Sequence, residues 1–227
     1  MAMEAVSAQA TTKGEAGVFA PEQSLLVACL LSMSGGFLDA FTWLSLGGVF
    51  ANSQTGNVVF LGMYAALGKW HEAARHIPPI AAFLAGVWVA VRIRAPLICL
   101  VGEIVSLTTV MVMLLHGTSE PLAIAGISFG VALQTASFRQ VERWKYLSVT
   151  VTGNMLRGVE QLISTADPEA AHGARAMLAV CLMFLLGAAV GGLLTAHLAA
   201  SSLVMPIGLQ VSALWLCRRP RYLRFPA

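Results

Sequence analysis

The sequence predicts an all-α polytopic membrane protein: six transmembrane helices arranged as two inverted three-span repeats, each with a re-entrant half-helix starting at Thr-Gly-Asn. Three observations lead there. Of the 227 residues 57% are apolar and only 11% charged, against roughly 25% charged in ordinary soluble domains. Six apolar runs, 25–48, 77–91, 97–116, 121–138, 176–198 and 202–217, approach or reach the ~20 residues that cross a bilayer core. The tripeptide Thr55-Gly56-Asn57 recurs as Thr152-Gly153-Asn154, and each copy opens a short helical pattern.

Taken in order, residues 1–23 are polar and mixed in charge, with Glu4, Lys13, Glu15 and Glu22. They lack the basic-then-apolar order of a cleaved signal peptide and are expected to form a disordered cytoplasmic tail. The first membrane repeat is placed at 24–117. Its opening span contains Gly35, Gly36, Gly47 and Gly48, which permit close backbone approach. Thr55 is expected to cap a helix over Val58–Leu67, a run long enough for about half a bilayer. A half-length apolar helix is the mark of a re-entrant segment.

The landmarks that follow are Phe83-Leu84-Ala85-Gly86 and Gly102-Glu103-Ile104-Val105-Ser106. After the second Thr-Gly-Asn they return in the same order as Phe184-Leu185-Leu186-Gly187 and Gly208-Leu209-Gln210-Val211-Ser212. This places a second repeat at 118–217. Upstream the match is looser, with Gly36–Ala40 facing Gly130–Gln134, and the charged insert Arg139–Lys145 has no counterpart. A basic cytoplasmic tail, 218–227, ends the chain.

Loop charge chooses the topology. With both short helices re-entrant there are six spans and both termini inside. Lys13, Arg92, Arg94, Arg139, Arg143, Lys145, Arg175, Arg218, Arg219, Arg221 and Arg224 then face the cytoplasm, with only Lys69 and Arg75 opposite. Letting both helices cross moves Arg92, Arg94, Arg139, Arg143 and Lys145 outside and weakens the bias. An odd number of spans per repeat makes the repeats inverted, which is a transport layout.

The blocks Gly35–Ala40, Gly47–Asn52 and Gln54–Gly62 together resemble the YoaK-like family of bacterial inner-membrane proteins, a domain-of-unknown-function family. The resemblance runs from about Leu25 to Cys217. It implies a small, multi-pass protein of the bacterial inner membrane, and no substrate or reaction.

The candidate binding or pore-lining residues follow from the inverted layout. Half-helix N-termini near Asn57 and Asn154 would meet at mid-depth and offer free N–H groups and positive dipole ends. The candidates there are Asn52, Gln54, Thr55, Gly56, Asn57, Thr152, Gly153 and Asn154. Thr and Asn could equally cap broken helices without touching a solute. Asp39, halfway along the first span, either carries a coupling proton or cation or locks the repeats by pairing with Arg157. Arg157 could alternatively attract an anion. Gln134 faces the Asp39 position in the other repeat, either as part of a one-charge site or as an interhelical hydrogen bond. Glu103 is expected near the interface, beside Arg92 or Arg94.

No enzyme is expected. His71 and His76 are five residues apart, about 140° around a helix, so they fail the shared face of a metalloprotease motif. No nucleophile elbow, phosphate loop or dinucleotide pattern occurs. The single cysteines Cys29, Cys99, Cys181 and Cys217 suit no disulfide or metal framework, and neither metal nor other cofactor is expected. The expected partners are a small polar or anionic solute, the lipid bilayer and a second copy of the chain in a homodimer, with no nucleic acid. The layout implies a transporter or channel. A non-transporting scaffold or regulatory subunit is the alternative, and an intramembrane enzyme comes third.

Overall fold

Helix follows helix because long apolar runs in a bilayer must satisfy every backbone group within the segment. The computed structural model describes residues 19–146, 151–163 and 168–219. The expected tails at 1–23 and 218–227 lie outside these residues except for 19–23, where Pro21–Gln23 forms a 3-10 turn, and for Arg218 and Arg219. Residues 24–117 form α1 (Leu25–Ser45), α2 (Gln54–Ala66), α3 (Trp70–Ala74), α4 (Ile77–Ile93) and α5 (Pro96–Leu115). The described part of 118–219 contains α6 (Glu120–Ser137), α7 (Val151–Ile163), α8 (Pro168–Leu198) and α9 (Val204–Arg218). Between α6 and α7 lies a two-stranded hairpin, β1 (Gln140–Val141) and β2 (Trp144–Lys145).

Among the described residues, four stretches are long and apolar enough to cross a membrane: Leu25–Ser45, Trp70–Ile93, Pro96–Leu115 and Ala170–Arg218. The last is not one rod. Ala199 has φ 47°, a 3-10 turn covers Ala199–Leu203, and the chain restarts there as α9. The α6 run, with Glu120 and Gln134 among its residues, is the least apolar of the long helices and is absent from that set.

Helix directions follow from which ends meet. Phe37 and Phe41, late in α1, share a cluster with Leu107 and Val110, late in α5, and with Ile124 and Ile127, early in α6. Val27 and Leu31, early in α1, meet Leu100 of α5, Phe138 just past α6 and Cys217 at the end of α9. Ala28 packs with Ala176 and Val180 of α8. Hence α1, α5 and α8 run one way, and α6 and α9 the other. Helix α4 lies parallel to α6, with Ala90 beside Leu133.

Glycine decides how close the paired helices come. In α8, Gly187 lies directly beneath the Met33 carbonyl of α1; in α4, Gly86 lies beneath the Phe129 carbonyl of α6, 2.5 Å from where a Cβ would stand. Gly86 and Gly187 each end a matched Phe-Leu-x-Gly block. Met33 stands six residues before Asp39, and Phe129 five before Gln134. The α1–α8 and α4–α6 pairs are thus the same contact made twice, at sites where only a missing side chain allows backbone to approach backbone.

The short helices fill the remaining space. After α1 the chain turns at Gly47 and Gly48, with φ 79° and 74°, conformations that a side chain disfavours. It then doubles back until Asn52 Nδ2 donates to the carbonyl of Gly35, mid-way along α1, at 2.8 Å. There α2 begins, and it runs back out to Phe60 and Tyr64, whose rings stack on His76 ahead of α4. Helix α7 starts beside Cys181, near the middle of α8, and leaves with Gly158 against Met177. Helix α2 has 13 residues, about 20 Å at 1.5 Å per residue, and α7 is described over Val151–Ile163.

Two sequence expectations are corrected. Helix α2 starts at Gln54 with Ser53, not Thr55, at its N-cap, and the Ser53 hydroxyl is turned to Asp39 and makes no cap bond. Glu103 is not beside Arg92 or Arg94. It is fully buried, hydrogen-bonded to Gln210, and packed against Gly130. Its helix turns it inward at the level where Gln210 Nε2 also donates to Ser34 at 3.1 Å.

Candidate functional site

The loop that enters α2 is held by one carboxylate. Asp39 Oδ1 accepts from the Asn52 backbone N–H at 2.8 Å and from Asn52 Nδ2 at 3.2 Å, while Oδ2 accepts from the Ser53 hydroxyl. Thr42, one turn on, accepts from the Ala51 N–H at 3.2 Å. This pins a loop that has no ladder of its own, because buried backbone donors must find acceptors. Asp39 therefore acts through Asn52 and Ser53, and its partners do not include Arg157, which sits partly exposed in the second turn of α7.

Asn57 serves the same loop from the other side. Its Oδ1 accepts from the Phe50 N–H at 3.0 Å, and its Nδ2 donates to the Phe50 carbonyl at 2.8 Å and to Gln54 Oε1 at 3.0 Å. His76 Nδ1 lies 3.2 Å from the same Oδ1. Gly56 lies under the Phe50 ring, where a Cβ would stand 2.9 Å away. The Gly and Asn of the first tripeptide thus fasten the loop to the helix, and Thr55 is left facing outward.

What Thr55 faces is a cavity of about 510 Å³. Asn52, Ser53, Gln54 and Thr55 line it from the start of α2, and Val151 and Thr152 from the start of α7. Phe83 and Val87 of α4, Phe184 of α8, and Thr135, Ala136 and Arg139 at the end of α6 complete the wall. Pseudo-equivalent residues recur across it: Thr55 with Thr152, and Phe83 with Phe184. A second hollow of about 270 Å³ shares Ala136 and Arg139 and continues past Ala90, Arg94 and Pro96. On the opposite side Val49 and Ala51 are fully buried in the core.

Arg139 is the one charged side chain among the described lining residues. Helix α2 adds the positive end of its dipole, with its Gln54, Gly56 and Asn57 N–H groups taken by the Asn52 and Ser53 carbonyls, and α7 reaches the wall at Val151 and Thr152. Among the described lining residues none is acidic, so the cavity favours negative charge or electron-rich groups.

A family model described as Protein of unknown function (DUF1275) matches residues 27–216. The chain belongs to that family. The YoaK-like resemblance of the Gly35–Ala40 and Gln54–Gly62 blocks is consistent with DUF1275 membership. Neither a curated protein nor a solved structure matches the chain. The family description carries no reaction, so for this DUF1275 protein the cavity is the functional information.

Of the residues singled out by sequence, Asn52, Gln54, Thr55 and Thr152 line this cavity. Asp39, Asn57, Gln134 and Asn154 are buried outside its wall, and Gly56, Gly153 and Arg157 also lie outside it. Sequence reasoning missed Ser53, Phe83, Val87, Thr135, Ala136, Arg139, Val151 and Phe184. Two signals pointed to some of them. Phe83 and Phe184 open the duplicated Phe-Leu-x-Gly block, and Arg139 opens the insert with no counterpart in the first repeat.

Proposed function

We propose that this DUF1275 protein is a six-span transporter of a small polar or anionic solute, built from two inverted three-span repeats with α2 and α7 as re-entrant half-helices. The observation that carries the reading is the cavity between the two half-helix starts, walled by matched residues of both repeats. Solute sites of inverted-repeat transporters lie at mid-depth where broken helices point their N-termini inward.

The directions of α1, α4, α5, α6, α8 and α9 support six crossings. Arg92, Arg94, Arg139, Arg143, Lys145, Arg175, Arg218 and Arg219 gather at the end where α1 starts, and Lys69 and Arg75 at the other. That asymmetry favours cytoplasmic termini in a bacterial inner membrane. The hollow continuing past Arg94, set against the buried Val49–Ala51 loop, favours a carrier open to one side over a continuous channel. A homodimer in the bilayer completes the proposal.

Impermeant thiol reagents test the topology, with single cysteines at Glu72 and Ala171 in a background lacking Cys29, Cys99, Cys181 and Cys217. The expected result is labelling from opposite faces. Labelling from one face would mean that both short helices cross fully and would remove the mid-depth site. Flux into proteoliposomes of radiolabelled organic and inorganic anions, with and without Thr55→Val and Thr152→Val, tests transport itself. Absence of protein-dependent flux for the whole panel would favour the scaffold reading.

A further inference from the structure

Going deeper into the site of that reading, we infer that the cavity takes a small organic anion with a ring-sized apolar body and a hydrogen-bond donor, rather than an inorganic ion. The inference rests on the existence of the central site and not on transport.

The wall divides into three chemistries. Phe83 and Phe184 come from α4 and α8, with Val87 and Val151 beside them. This is apolar surface that a hydrated inorganic anion leaves unused and an apolar body covers. About 510 Å³ falls in the ~300–1,000 Å³ range of pockets for organic ligands. It equals the liquid volume of roughly seventeen waters at ~30 Å³ each, far more than a bare inorganic ion fills.

The second chemistry is positive. Arg139 stands where the main cavity joins the second hollow, and both half-helix starts reach the wall. A planar guanidinium suits a carboxylate held by two parallel hydrogen bonds.

The third chemistry is an unmet acceptor. Asn52 spends Nδ2 on the Gly35 carbonyl and Asp39 Oδ1, which fixes how the amide is turned. Its Oδ1 is left buried and without a partner, on a residue only 4% exposed. Thr135 Oγ1, on a residue 7% exposed, is likewise unpartnered. Buried polar atoms are nearly always satisfied; these two lie just behind the wall on residues that line it, and a small side-chain shift brings either within reach of a ligand O–H or N–H.

Purified full-length protein in lipid nanodiscs, titrated calorimetrically, tests this with four probes. These are 4-hydroxyphenylacetate, phenylacetate without the donor, 4-hydroxybenzyl alcohol without the charge, and inorganic phosphate. The hydroxy acid should bind at least about tenfold more tightly than phosphate or the alcohol, and more tightly than phenylacetate. Arg139→Gln should remove the advantage of the acids over the alcohol. Thr135→Val should narrow the gap between the hydroxy acid and phenylacetate. Phe83→Leu and Phe184→Leu, each checked for an unchanged melting temperature, should weaken both acids severalfold.

Equal or tighter binding of phosphate overturns the inference, as does indifference to both Phe variants. If no probe binds while inorganic-anion flux depends on Thr55 and Thr152, the ligand class falls and the transport reading stands. Binding as expected with no flux of the hydroxy acid leaves the ligand class standing and removes transport. Loss of both binding and flux removes both.

Discussion

Adjacent glycines of α8 give a test in which the same substitution should act with opposite sign. A Cβ built on Gly191 would lie 2.8 Å from both the Cα and the carbonyl oxygen of Phe37, whereas one on Gly192 would meet nothing within 4 Å. Ordinary contact needs about 3.5 Å, so Gly191→Ala forces α8 and α1 apart by about 0.7 Å. No side chain can rotate out of the way, because the obstacle is backbone. A gap of that size forfeits a quarter to a half of the dispersion energy across the strip it opens. Overpacking of this kind costs about 1–3 kcal/mol. Helix propensity runs the other way and favours alanine by about 1 kcal/mol at both sites. Gly191→Ala should therefore lose up to about 2 kcal/mol net, while Gly192→Ala should be neutral or gain up to about 1 kcal/mol. Thermal unfolding of the purified protein in a mild detergent, followed by loss of the monodisperse peak, reads the difference as several degrees. Equal melting temperatures for the two variants would refute the close α1–α8 approach, and with it the matched pairing of the repeats.

Further outcomes follow from the same geometry. Gly86→Ala, whose Cβ would lie 2.5 Å from the Phe129 carbonyl and 2.7 Å from the Ala132 Cβ, should destabilise as Gly191→Ala does, and on the proposed transport function should also lower flux because it moves the wall carrying Phe83 and Val87. Asp39→Ala leaves the Asn52 N–H and the Ser53 hydroxyl unpaired and should cost about 2–4 kcal/mol. Asp39→Asn keeps an acceptor for Asn52, so it should recover most of the fold and, if Asp39 only positions the loop, a measurable share of flux. Full folding with no flux would return Asp39 to a coupling role. Tyr146, just past β2 and fully buried, has an unpartnered hydroxyl whose pKa burial pushes above its ordinary value. The folded state holds that proton more tightly than the unfolded chain, so its stabilising effect is complete below pH ~10 and is lost as pH rises beyond it. Tyr146→Phe should match or slightly exceed wild-type stability at pH 7 and should unfold less readily than wild type above pH 10. Glu142→Gln breaks the exposed His172–Glu142 pair at 2.8 Å and should change stability by less than about 1 kcal/mol.

The helices were legible in the sequence because apolar length and the doubled Thr-Gly-Asn are one-dimensional signals. Helix α2 begins one residue before its tripeptide, α7 contains the second copy, and the Phe-Leu-x-Gly blocks mark where glycine meets backbone. The side chains of the tripeptide were less legible. Thr, Gly and Asn all carry plausible site chemistry, yet only a three-dimensional loop tells which of them is spent on fastening it. Asn57 is consumed by Phe50, Gln54 and His76, and Thr55 is not. Asp39 and Glu103 were hard for a related reason. Hydropathy marks a carboxyl group inside a span as costly, but its remedy lies in partners far along the chain, Asn52 in one case and Gln210 in the other. Arg139 was counted for topology alone, since nothing local announces that the end of α6 opens onto a cavity.

On the proposed inverted-repeat architecture, the divergence of the halves explains why the cavity has a side. The same position is solved twice with different chemistry: Asp39 draws the loop Asn52–Ser53 against α1, and the second repeat has Gln134 and Thr135 at the matching level of α6. A carboxylate that accepts three hydrogen bonds closes the first loop tightly, and Val49 and Ala51 are buried behind it. The second half carries the insert Arg139–Lys145, folded as a hairpin whose Glu142 N–H donates to the Gln23 carbonyl at 2.6 Å and whose Glu142 carboxylate meets His172. That hairpin draws the chain beyond α6 towards the starts of α1 and α8, and Arg139 stays at the junction of the two hollows. If the repeats exchange conformations during transport, the Asp39 brace must loosen while the hairpin side closes. Asp39→Asn should then shift the balance between the two states before it abolishes binding. Accessibility of a Thr55→Cys thiol to impermeant reagents from each face, compared with and without Asp39→Asn, measures that shift. Unchanged accessibility from both faces would mean that the brace is passive and that the cavity opens by another element.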